Sequence, residues 1–125
     1  MTGPGADGLP VKREAQTPVV DRATMRARAA LLLAPGVEPP TGEALAALKR
    51  DLRDDIAALL PEVEKAALGL RKGDLTRAFA MVCCCEARTR LTPLGTARDP
   101  TTHTTLLARS VNALLDHLER LGAQR

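Results

Sequence analysis

The sequence predicts an all-α protein, a four-helix bundle-like domain with one long helix kinked at a proline. Three observations predict it. Phe79 is the only aromatic residue, so the core must be aliphatic, and the abundance of Ala and Leu favours helices. Apolar residues recur at spacings of three and four. Capping signals divide the chain into four segments of helical length.

The longest segment, Thr41 to Arg71, organises the rest. Leu45, Leu48, Leu52, Ile56, Leu59, Val63, Ala67 and Leu70 keep one phase, and with Leu60 and Ala66 they make a stripe about 120° wide. Pro61 projects to the opposite side. Because the phase survives across it, one kinked helix with Pro61 on its solvent side is favoured over two helices. Thr41 is its expected cap, with Glu43 in the first turn.

Residues 1–20, rich in Gly and Pro and without periodicity, read as an N-terminal tail that is flexible or docks on a partner. Residues 21–125 read as a single helical domain. Asp21 is a good N-cap for the first helix, with Val20 and Met25 placed for a hydrophobic staple, and Pro35-Gly36 ends it. Arg22, Arg26 and Arg28 crowd this short helix. They suit a partner contact better than nucleic acid, because no aromatic is there to stack bases and the net charge is only +3. In the long helix, Asp51, Arg53, Asp54 and Asp55 lie off the stripe, and Glu62 and Glu64 follow the proline. All should be solvated.

Gly73 and Asp74 separate the second and third helices. Leu75, Ala78, Phe79 and Val82 form the expected inward stripe of the third. From Ala78 to Cys85 every side is apolar, so this segment sits either at the centre of the bundle or with one face against another chain. Glu86 projects within that stripe and needs a partner, for which Arg90, Arg109 and His117 are the candidates. Successive cysteines 83 to 85 point about 100° apart and cannot share one metal. Core or interface filling is the better reading, and Cys84 projects outward, where a thiol reagent would reach it.

After a loop with Pro93 and Gly95, Asp99-Pro100 starts the last helix, which should bury Leu107, Val111, Leu114, Leu118 and Leu121. Arg109, Asn112, Asp116 and Glu119 face outward. His103, Ser110 and His117 follow one edge of the stripe, and the two histidines are about 20 Å apart, too far to share a metal or a proton.

Net charge and its alternation point to no particular partner, and three adjacent cysteines make no disulfide framework. No secretory signal is recognisable, and the longest apolar run, Ala29 to Ala34, is far short of the roughly 20 residues that span a bilayer. The expectation is a cytoplasmic protein without metal or cofactor. No phosphate loop, nucleophile elbow or di-iron spacing occurs. An excess of Arg over Lys together with abundant Ala is the usage of a GC-rich bacterial coding sequence.

Three motifs, Leu59-Leu60-Pro61-Glu62-Val63-Glu64, Cys83-Cys84-Cys85-Glu86-Ala87-Arg88 and Leu107-Ala108-Arg109-Ser110-Val111-Asn112-Ala113-Leu114-Leu115-Asp116-His117, occur in order. The stretch from about 21 to 121 resembles a family of small proteins of high-GC bacteria that carry a domain of unknown function and are labelled as natural-product biosynthesis proteins. Leu118 departs from the aromatic expected after the histidine. The resemblance implies an accessory role in a gene cluster, and its sharper form is the small subunit of an aziridine-forming, sulfate-eliminating complex of azinomycin-type pathways.

The functional expectation is therefore a non-catalytic accessory subunit that binds a larger biosynthetic enzyme through Met81, Cys84 and Cys85, with Arg22 and Arg26. Glu86, Arg90, Arg109 and His117 are the buried polar candidates. The rival expectations are a homodimeric DNA-binding regulator using Arg22, Arg26 and Arg28, and an independent enzyme with Glu86 as acid or base.

Overall fold

The computed structural model describes residues 21–92 and 99–123. Expectations about the N-terminal tail, the Val20 staple and the loop around Pro93 and Gly95 fall outside these residues. The described residues form four helices and no strand: α1 (Arg22–Leu33), α2 (Gly42–Leu68), α3 (Leu75–Leu91) and α4 (Pro100–Ala123).

Local chemistry sets most boundaries. The Thr24 amide and hydroxyl both donate to the Asp21 carboxylate, at 3.0 and 2.6 Å, and fix the start of α1. Asp74 Oδ1 accepts from the Thr76 amide at 2.8 Å and opens α3, while Asp99 Oδ2 accepts from the Thr102 amide at 3.2 Å and opens α4. Thr41 occupies the cap position of α2 but makes no side-chain capping bond, contrary to expectation. At the other end of α2, Gly73 adopts φ +89°, a left-handed conformation that side chains disfavour, in the turn to α3.

α2 runs unbroken through Pro61, whose ring is exposed. At about 1.5 Å per residue its 27 residues span about 40 Å. Its predicted stripe is buried, except that Leu70 lies past the helix end, and α4 buries all five of its predicted apolar residues. These two helices make the most extensive contact among the described helices. α1 and α3 each pack on both of them and do not touch one another, so they occupy separate flanks of the α2–α4 pair. One cluster of buried apolar residues takes members from all four helices.

The rotation of α3 differs from the sequence expectation. Its buried residues are Ala80, Cys83, Cys84 and Ala87. Leu75, Phe79 and Val82, expected inside, are 69%, 60% and 58% exposed. Size explains the choice, because Ala and Cys let the α3 backbone approach the α2–α4 pair closely, whereas a Phe and Val seam would hold it away. Polar contacts beside the seam fix the same rotation. Arg88 pairs with Glu64 of α2, and Arg90 donates to the Leu106 carbonyl and to Ser110 Oγ of α4, at 3.1 and 2.8 Å. From α2, Arg53 donates to the Leu91 carbonyl at 3.1 Å and ties down the end of α3.

Candidate partner-docking surface

The rotation of α3 decides where the candidate residues stand. Met81 is half-buried and packs against the core, Cys85 is exposed, and Cys84 is fully buried. The expectation that Cys84 points outward is corrected: it lies in the close-packed seam, and Cys85 is the surface thiol. Burial pushes the Cys83 and Cys84 thiols up to about 11, so both stay protonated near neutrality.

Glu86 was expected inside and is exposed, because the seam turned toward the small residues. Its expected partner Arg90 is instead engaged with α4. Arg109, the second candidate partner, is exposed on α4. His117, the third, is half-buried, and its Nδ1 is shielded from solvent with no hydrogen-bond partner among the described residues. Burial lowers the pKa of His117 and of His103, the latter only 1% exposed.

On the other flank two arginines of α1, Arg26 and Arg28, turn toward α4 and α2. Arg26 reaches Asp116 at 2.8 Å and Glu119 at 3.3 Å, so its charge is satisfied within the chain. Arg28 makes a bidentate pair with Asp55, at 2.8 and 2.6 Å. Asp55 was expected on the solvent face and is 4% exposed, covered by α1. Arg22 alone of the three is exposed. The signal for these pairs was present in the sequence as an arginine cluster on α1 and carboxylates on α2 and α4, but nothing in the sequence matched them to each other.

What the rotation brings together is a surface. Leu75, Phe79 and Val82 follow one exposed face of α3, and at its C-terminal half that face borders a groove of about 480 Å³ whose described lining is Met81, Val82, Cys85, Glu86, Thr89 and Arg90. Four residues picked out from the sequence, Met81, Cys85, Glu86 and Arg90, thus share one place. No group of three or more metal-ligating side chains occurs among the described residues. No helix among them is long and apolar enough to cross a membrane.

Fold and surface together define a small all-α helical protein that leaves three large apolar side chains of α3 uncovered. It belongs to DUF6415, a family of unknown function, whose pattern matches residues 23–123. No curated protein and no solved structure matches it significantly.

Proposed function

We propose that this chain is a non-catalytic accessory subunit that docks through the outer face of α3 on a larger enzyme of natural-product biosynthesis. The carrying observation is the exposure of Leu75, Phe79 and Val82 on one helix face while the same helix buries only Ala and Cys. Such an arrangement leaves the costliest apolar surface in water, and covering it by another chain removes that cost. The biosynthetic setting comes from the sequence resemblance, whose sharpest form makes the partner the large subunit of an aziridine-forming, sulfate-eliminating complex. The regulator reading has less support, since Arg26 and Arg28 are spent in ion pairs within the chain. The enzyme reading also has less support, since Glu86 is exposed and lacks the burial that tunes a carboxylate for acid or base work.

The test is co-expression with the larger enzyme and capture on a tag placed on that enzyme. Phe79→Asp and Val82→Asp should each weaken capture by about 30-fold or more, the loss of a central apolar anchor. Leu31→Asp, on exposed α1, should leave capture intact. Unchanged capture of the Phe79→Asp, Val82→Asp double variant would remove α3 as the docking face.

A further inference from the structure

We propose that α1 is a releasable strap, held over the acidic edge of the α2–α4 pair by its ion pairs to Asp55, Asp116 and Glu119, and freed as a unit by rising ionic strength. The inference is independent of the role given to α3, which lies on a separate flank and does not touch α1.

The attachment of α1 is lopsided. In its 12 residues it fully buries only Met25 and Ala29 among apolar side chains, and Leu32 and Leu33 pack partly against the core. A helix of this length does not hold its form alone in water, so it depends on what it rests upon. The remaining members of the core cluster come from α2, α3 and α4, which contact one another directly and not only through α1. Ion pairs at two places, Arg26 with Asp116 and Glu119 and Arg28 with Asp55, supply the rest of the hold. Asp116 and Glu119 are about half exposed and Arg26 about one third, so mobile ions reach and screen them. Asp55 is sheltered under Arg28, but the same movement that removes its partner opens it to water, and no charge is stranded in the core.

The connection holds no helix that would have to break for α1 to move. From Ala34 to Thr41 the chain runs without helix through Pro35, Gly36, Pro39 and Pro40. Gly36 at φ +79° turns the backbone without help from packing. Lifting α1 would uncover apolar side chains of α2 and α4 rimmed by Asp55, Asp116 and Glu119. That surface matches a basic amphipathic helix, the chemistry of α1 itself.

Hydrogen exchange by mass spectrometry on the full chain, over a series of sodium chloride concentrations, tests the strap. Amides of α1 should exchange at least about 10-fold faster than the core amides of α2 and α4, and the gap should widen with salt while α2, α3 and α4 stay unchanged. Asp116→Asn, at a half-exposed site that does not endanger folding, should speed exchange in α1 alone by several-fold. Exchange of α1 in step with α2 and α4 at every salt would overturn the proposal. So would fast α1 exchange that ignores both salt and Asp116→Asn.

Discussion

At the scale of single residues, three neighbouring thiols divide between two surroundings because each helical step turns about 100°. Cys83 and Cys84 face the seam and Cys85 faces water. A maleimide should therefore add once to the native chain and three times to the denatured one, with Cys85→Ala removing the native addition; intact-mass measurement reads all of these. The histidines carry a second residue-scale prediction. Burial lowers both below the ordinary 6.5, so the unfolded chain takes up protons at a pH where the folded chain still refuses them. Their contribution is complete above 6.5 and is eroded as the pH falls below it. The melting temperature should drop between about pH 7.5 and about pH 5.5, and His103→Gln should flatten that slope. The capping carboxylates act in a lower window. Hydrogen bonds from Thr24 and Thr102 lower Asp21 and Asp99 below 3.8, so their contribution is present above that value and lost only in stronger acid.

At the scale of the element, the two sides of α3 should respond to substitution in opposite ways. Leu52 of α2 is fully buried, and Leu52→Ala should cost about 2–5 kcal/mol by lost burial and the cavity left behind. Phe79→Ala, although it removes the larger side chain, should change stability by less than about 0.5 kcal/mol, because the ring is already in water. Chemical denaturation checks both, and a Phe79→Ala cost near that of Leu52→Ala would mean that Phe79 lies in the seam after all. The same contrast explains what the sequence could tell. In α2 and α4 one polar face opposes one apolar face, so spacing alone set the rotation, and the Asp21, Asp74 and Asp99 caps mark where α1, α3 and α4 begin. Between Ala78 and Cys85 every side is apolar, and periodicity then carries no phase. Side-chain size and the distant partners Glu64, Leu106 and Ser110 decide the rotation, and spacing within α3 contains none of that. Asp55 was missed for a related reason. A carboxylate at the edge of a stripe is solvated until another helix lies over it, and only the packed α1 brings Arg28 there.

At the scale of the whole molecule, the α2–α4 pair separates two surfaces of different chemistry. On α3 the surface is apolar and uncovered, and its energetics follow buried area and are nearly indifferent to salt. Under α1 it is acidic and covered, and its energetics follow ionic strength. Because α1 and α3 do not touch, substitutions on the two flanks should act independently. Phe79→Asp should weaken capture of the proposed larger enzyme by about 30-fold or more, the loss of a central anchor, and leave salt-dependent exchange in α1 as it was. Asp116→Asn should loosen α1 and leave capture as it was, and the double variant should show both effects at their single-variant sizes. Light scattering on the lone chain supplies the same separation in another form. Weak self-association through the exposed α3 face should rise with protein concentration and disappear in Phe79→Asp, while Asp116→Asn should not change it. If Asp116→Asn weakened enzyme capture as strongly as Phe79→Asp, the flanks would be coupled through α2 and α4, and the molecule would act as one switch with two faces.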